Sequence, residues 1–110
     1  MVSFNSFSHV QHPLKIKELS TDGQPRIKIT VGNIREIKQS FNVEVNGVLT
    51  GQKIHLSTEQ FKNISVRLPR VQPNQLYKFT VCTVSVPKPT DKVKSKICSE
   101  VKVYYPQSSQ

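Results

Sequence analysis

The fold of this chain is decided by the stretch Val71-Gln72-Pro73-Asn74-Gln75-Leu76-Tyr77-Lys78-Phe79-Thr80-Val81. Pro73 has a fixed backbone angle and marks a corner just before a strand. Four residues later, Tyr77 can return its hydroxyl group to the backbone upstream, which forms the tyrosine corner of Greek-key β-sandwiches. Because side chains alternate along a strand, an inward Tyr77 also turns Phe79 and Val81 inward. Pro73 and Tyr77 are therefore predicted to define the fold.

Outside this stretch, apolar and polar residues alternate over several short segments that are separated by turn signals such as Asn46-Gly47. Together with a strand that begins at Tyr77 and runs to about Val84, they predict seven strands. The other six lie at residues 14–19, 26–31, 39–45, 54–56, 63–68 and 99–105. Short strands at this spacing are typical of an all-β, antiparallel Greek-key sandwich of seven strands.

The last three strands carry a resemblance to the fibronectin type III family. The residues concerned are Ser65-Val66-Arg67-Leu68, the stretch Val71 to Val81, and Ser99-Glu100-Val101-Lys102-Val103-Tyr104. The tryptophan that this family usually carries on its second strand is absent, and Ile29 or Val31 would take its place in the core. The resemblance implies a flexible leader at residues 1–12, a fibronectin type III-like or immunoglobulin-like sandwich at 13–106, and a tail at 107–110.

The chain is strongly basic, with 16 Lys and Arg against seven Asp and Glu and a formal net charge of +9. Such a field favours sulfated glycans, nucleic acid or acidic lipid surfaces, although lysine on exposed strands also protects sheet edges from aggregation. In the fibronectin type III fold, the first, second and fifth strands share one sheet. This predicts an anion-binding face made of Lys15, Lys17, Arg26, Lys28 and Arg67. A second basic cluster is predicted on the last loop, at Lys88, Lys92, Lys94 and Lys96.

The two cysteines are predicted to form a cross-strand disulfide. If the last two strands form a hairpin centred near Thr90, then Cys82 lies directly opposite Cys98. Opposed residues on antiparallel strands have Cβ atoms about 5 Å apart, which is close to disulfide geometry. Such a bond implies an oxidising compartment, and the alternative is two free thiols in a reducing cell. Class II cytokine receptor domains also tie these strands together, so that subfamily stays open.

Other chemistry is sparse. Asn63 opens the only glycosylation sequon, Asn63-Ile64-Ser65, and is predicted to face outward. No nucleophile, base or phosphate-binding loop follows a catalytic pattern, so we expect no enzyme and no cofactor. Two cysteines without close spacing do not predict a metal site. No apolar run approaches the ~20 residues of a membrane span, and the opening residues lack the features of a signal peptide.

The resemblance implies a non-catalytic, extracellular binding module of a cell-surface receptor or adhesion protein. Its partners would be protein ligands or neighbouring domains, with heparan sulfate as a further candidate for the basic face and with membrane contact only through the parent protein. Nucleic acid is disfavoured, because Phe41, Tyr77 and Phe79 point inward and leave no aromatic platform for bases. Two alternatives stay open: an intracellular interaction or nucleic-acid-binding sandwich with reduced cysteines, and a secreted soluble ligand-binding protein.

Overall fold

The computed structural model describes residues 9–90 and 94–107. Over these residues the chain forms strands and loops, without helices. Eight strands follow in chain order: β1 (His9–His12), β2 (Lys15–Leu19), β3 (Arg26–Asn33), β4 (Gln39–Val45), β5 (Val48–Leu56), β6 (Phe61–Arg67), β7 (Leu76–Ser85) and β8 (Lys96–Tyr104). One strand more is present than the seven that the sequence predicted.

The strands form two sheets that face one another across an apolar core, so the prediction of an all-β sandwich is confirmed. The smaller sheet has the order β1-β3-β6, and the larger has the order β2-β8-β7-β4-β5. Alternate residues of the long strands are buried, as in the pattern of β4, because one side of each sheet faces the core and the other faces solvent. Fully buried core residues include Ile29, Val31, Phe41, Val43, Val81 and Val103.

The first part of the chain is divided between the two sheets. Residues 9–12, which we expected to belong to a flexible leader, form β1 and pair antiparallel with β3. After Pro13, which has no N–H group for the ladder, the chain crosses to the other sheet, where β2 pairs in parallel with β8. The prediction of a purely antiparallel sandwich therefore needs correction at this one pair. Residues 1–8 lie outside the described part of the chain.

The hairpin between β4 and β5 turns where Asn46-Gly47 predicted it. Both residues have positive φ angles, 52° and 80°, as the tight turns of hairpins require. Thr50-Gly51 marks a bulge inside β5. The register with β4 shifts there, and Gly51 has a φ of 86° that a residue without Cβ adopts at no cost.

The tyrosine corner is present. The backbone N–H of Gln72 donates a hydrogen bond to the Tyr77 hydroxyl oxygen at 3.0 Å, five residues upstream of the tyrosine. This contact fixes the chain as it enters β7. The register between β7 and β8 is the predicted one, since Tyr77 pairs with Val103, Phe79 with Val101 and Cys82 with Cys98.

Candidate functional site

The edge of β6 that faces away from β3 has no neighbouring strand among the described residues. At its two ends, Asn33 donates to the Gln60 carbonyl and Leu68 donates to the Pro25 carbonyl, which closes the ladder between β3 and β6. Because backbone groups alternate in direction along a strand, the even-numbered residues of β6 bond to β3 and the odd-numbered ones point outward. The outward groups belong to Phe61, Asn63, Ser65 and Arg67.

The edge is open because no strand intervenes between β5 and β6. In immunoglobulin constant domains, a fourth strand completes the sheet that contains the equivalents of β3 and β6. Here the strand after β4 is β5, which pairs with β4 in the other sheet. Only residues 57–60 connect β5 to β6, and four residues cannot form a further strand and its turns. The vacant position next to β6 is therefore built into the chain.

An apolar groove of about 600 Å³ adjoins this edge, at the end of the sandwich where the β4–β5 hairpin turns. It lies between the edges of β5 and β6, so it opens onto the core of the sandwich. Val48 and Leu49 are largely exposed there although both are aliphatic. The residues that line the groove are Val45, Asn46, Val48, Leu49, Thr50, Gln52, Val66, Arg67, Leu68 and Pro69.

Side chains mark both ends of the edge. At one end the Phe61 ring lies over Gly32 on the partner strand, where a Cβ atom would come within 2.3 Å of the ring. Only glycine leaves room for this arrangement, and the ring remains 54% exposed. At the other end Arg67 lies directly opposite Arg26, and neither has a carboxylate partner among the described residues. The edge thus combines apolar surface, positive charge and a backbone without a partner strand, on which the Ser65 carbonyl accepts a hydrogen bond from Gln52 Nε2 at 3.3 Å.

A buried polar cluster holds β1 against the larger sheet. The wholly buried His9 contacts Thr83 through Nε2 at 3.0 Å and Ser95 through Nδ1. Gln11 donates to the Val81 carbonyl at 3.1 Å and to the Ser99 hydroxyl at 2.7 Å. Burial lowers the pKa of His9 to about 4, although an interaction with the Thr83 backbone raises it in part. His9 is therefore neutral at physiological pH.

Cys82 and Cys98 are joined in a disulfide. They pair directly across β7 and β8 on the outward side of the sheet, which is the pair and the side that the register predicted. Cys82 is nonetheless buried, at 2% exposure, because Glu44 lies beside it on β4 and forms an ion pair with Lys96 at 3.5 Å.

The predicted anion-binding face is not one surface, and this part of the prediction needs correction. Lys15 and Lys17 lie on β2, which belongs to the larger sheet. The remaining three cations, Arg26, Lys28 and Arg67, stay together on β3 and β6 in the smaller sheet. The separation arises because the chain changes sheets at Pro13, so the predicted first strand does not pair with β3. Anion binding by either group stays a prediction.

The remaining predicted sites lie partly within the described residues. Lys88, Lys94 and Lys96 are exposed near the last loop, whereas Lys92 lies outside the described residues. Asn63 is exposed on β6, where its side chain accepts a hydrogen bond from the Thr30 hydroxyl at 2.7 Å, and its glycosylation stays a prediction. Within residues 9–90 and 94–107, His, Cys, Asp and Glu form no cluster suited to a metal ion, and no helix has the length and apolar character of a membrane span.

Sequence reasoning missed the open edge of β6 and the polar cluster around His9. The edge had a signal, since the short connection at residues 57–60 leaves no room for another strand. The cluster had none, because His9 and Gln11 lie in a polar segment whose sequence gives no indication of burial.

Comparison with known proteins adds information about the fold. Neither a family model nor a curated protein matches this sequence. The fold is similar to that of two chaperones. One is the E. coli chaperone DraB, with a TM-score of 0.69 and 19% identity over 94% of this chain. The other is the periplasmic chaperone SfaE, with a TM-score of 0.66 and 10% identity over 91% of this chain. The chain spans 58% of the length of each of those chaperones.

These similarities overturn the fibronectin type III interpretation. The similar structures are chaperones with an immunoglobulin-like fold and not receptor domains. The predicted role as a cell-surface receptor or adhesion module is therefore wrong, and neither alternative gains support. Heparan sulfate binding is also unsupported. The tyrosine corner and alternating strands that carried the resemblance occur in Greek-key sandwiches generally, so they could not distinguish between families of that fold.

Proposed function

We propose that this chain is a non-catalytic chaperone domain that holds an extended segment of a client protein along the open edge of β6. The observation that carries the proposal is this unpaired edge beside an apolar groove, in a chain whose fold is similar to that of two chaperones. Because the chain spans little more than half of either chaperone, the proposal concerns one client-binding domain and not the activity of a larger assembly.

The binding mode is strand addition. An extended peptide that pairs with a sheet edge gains affinity from main-chain hydrogen bonds and specificity from pockets for alternate side chains, as in chaperone–pilin complexes. Phe61, Asn63 and Arg67 each present an N–H and a C=O group to such a peptide. Ser65 presents its N–H, while its carbonyl accepts a hydrogen bond from the Gln52 side chain at 3.3 Å. The added strand would extend the smaller sheet from three strands to four and cover the groove between β5 and β6.

The geometry also defines the client segment. Every second side chain of an added strand faces the core side of the sheet, where it would contact Val48, Val66 and Leu68 in the groove. The intervening side chains face solvent near Arg26, Lys28 and Arg67. The preferred client is therefore a segment of about seven residues that matches the length of β6, with aliphatic residues at alternate positions and polar or acidic residues between them.

Export is supported by the disulfide. Disulfides persist in secreted and periplasmic proteins and are rare in the reducing cytosol, and Cys82–Cys98 joins two central strands of the larger sheet. One of the two similar chaperones is itself periplasmic. We accordingly propose that the protein acts on clients outside the cytosol, without assigning it to a cell surface.

Ser65→Pro tests the binding mode. Proline removes the outward N–H of Ser65 but none of the bonds to β3, and edge strands tolerate it when that N–H faces solvent. The probe is a fluorescein-labelled peptide in which four valines alternate with serine and glutamate, followed by fluorescence anisotropy. We expect Ser65→Pro to weaken binding about tenfold, from one lost hydrogen bond and a displaced backbone.

Ser65→Ala is the matched control, because it keeps the N–H group and changes only an exposed side chain. Its affinity should stay within about twofold of the parent protein. Amide exchange with the bound peptide should show new protection at Phe61, Asn63, Ser65 and Arg67. Equal affinities for the proline and alanine variants, or protection confined to another strand, would contradict the proposal.

A further inference from the structure

The outer face of the larger sheet carries an ordered pair of side-chain rows at one end of β2, β8 and β7. Lys17, Lys102 and Lys78 are neighbours in register across the three strands and form a lysine row. An adjacent apolar row lies two residues away on each strand. It consists of Leu19, Tyr104 and Leu76. Leu19 is 67% exposed and Leu76 is 59% exposed. Most of these side chains line one shallow depression.

The lysine row is an unfavourable arrangement for an isolated protein. Like charges directly opposite on neighbouring strands destabilise a sheet, and Lys17, Lys78 and Lys102 have no carboxylate partner among the described residues. Glu18 also borders this depression, but it alternates with Lys17 along β2 and forms no ion pair with the three lysines among the described residues. An external anion would relieve the repulsion between the three ammonium groups.

The rest of the outer face of the larger sheet is also positively charged. By the alternation of the strands, its outward charged side chains are six lysines and two glutamates: Lys15, Lys17, Lys53, Lys78, Lys96, Lys102, Glu44 and Glu100. Glu44 is already paired with Lys96, and Glu100 lies opposite Lys15. The face therefore keeps a net positive charge, with Glu100 bordering Lys78 and Lys102 of the lysine row.

We propose that this face binds the surface of an anionic membrane, with the lysine row at the lipid phosphates and the apolar row in the outer part of the acyl layer. With the strands standing steeply to the membrane, rows about 7 Å apart along the strands would differ in depth by about that distance, which fits the roughly 5–10 Å by which interfacial segments enter a bilayer. Juxtaposed Lys and aliphatic or aromatic residues are the composition that such peripheral contacts use.

A planar partner also fits better than an acidic peptide. The backbone of β8 is already paired on both sides at this level, with β2 and with β7, so a peptide lying across β8 on this face could gain no main-chain hydrogen bonds from it. Three side chains in a row across a flat sheet instead match repeated headgroups in a plane. The proposal is independent of client binding at β6, which lies in the other sheet.

Vesicle co-sedimentation tests this inference. The vesicles contain two parts phosphatidylcholine to one part phosphatidylglycerol, and pure phosphatidylcholine is the neutral reference. We expect binding to the anionic vesicles alone, and a loss of affinity of about 30-fold in Lys102→Glu, since each lysine near the surface contributes about tenfold or less and the reversal adds repulsion. This variant should fold well, because the introduced carboxylate would lie between the ammonium groups of Lys17 and Lys78.

Lys53→Glu is the matched control, because it makes the same change of charge on the same face but on β5, away from the lysine row. It should weaken binding no more than about threefold. Leu19→Ser with Leu76→Ser should weaken binding even where the lysines are intact. Three outcomes would overturn the proposal: no binding to anionic vesicles, equal losses in Lys102→Glu and Lys53→Glu, or a stronger effect of the same lysines on an acidic peptide than on vesicles.

Discussion

At the scale of single residues, His9 shows how a polar side chain can serve as a core residue. It is fully buried, contacts the Phe41 ring at a centroid distance of 4.5 Å and bonds to Thr83 on the opposite sheet. Every buried side-chain polar atom of the described residues has a hydrogen-bond partner. A neutral imidazole satisfies this site, whereas an imidazolium would be a charge without a counterion in a region of low dielectric.

The stability of the protein should therefore decrease as the pH is lowered, because His9 takes up a proton. Its folded-state pKa is about 4, below the ordinary value of 6.5, so the unfolded chain binds the proton more tightly. The contribution is fully present above pH 6.5 and is lost as the pH falls toward 4, at a cost of at most about 3 kcal/mol. Urea unfolding measured across this range gives the pH dependence.

His9→Gln isolates this effect from the carboxylates, which also titrate in acid. It should lower stability at neutral pH by about 1–2 kcal/mol, through imperfect hydrogen bonds in the cluster, and should flatten the pH dependence above about pH 4. His55→Gln is the control, since His55 is exposed on β5. A parent-like pH slope in His9→Gln would show that another group is responsible.

At the scale of elements, the four edge strands differ in length and regularity. β1 and β2 are short, with four and five residues, and β5 is interrupted by its bulge. Short or bulged edges resist association with other strands. β6 instead pairs continuously with β3 over seven residues and has no bulge. The edge that is left regular is the edge that we propose for client binding.

The β7–β8 hairpin should depend on its disulfide. The bond closes a loop with a sequence separation of 16, for which the loss of chain entropy in the unfolded state stabilises by about 3 kcal/mol. Cys82→Ala with Cys98→Ala should lower the free energy of unfolding by up to this amount. Dithiothreitol should destabilise the parent protein similarly and leave the double variant unaffected. An equal response of both proteins to the reductant would rule out this contribution.

At the scale of the whole molecule, the charge is poorly balanced. A net charge of +9 and the lysine row oppose compaction through mutual repulsion. Sodium chloride screens such repulsion, so raising its concentration from about 20 to about 300 mM should increase the melting temperature by roughly 5 °C. Calorimetry checks this, and Lys102→Glu should show a smaller increase. A melting temperature that falls with added salt would mean that attractive ion pairs dominate.

Several features were fixed by local patterns in the sequence. Alternation around Phe41, Phe79 and Val103 determined which side chains form the core. A shift of the strand register by one residue would turn all of these side chains to the solvent side. Tyr77 and Pro73 determined the corner before β7. The register that follows brought Cys82 opposite Cys98. Each of these depends on contacts between neighbours along the chain or across one hairpin, so the information is contained in a short stretch.

Only the tertiary structure decided which strands share a sheet. The pattern of β2 is the same whether it pairs with β3 or with β8, so the separation of Lys15 and Lys17 from Arg26 could not be predicted. The burial of His9 and the open edge of β6 likewise depend on long-range packing. Alternation specifies the inner face of a strand but not its partner, and in this protein the partners determine where clients and membranes are proposed to bind.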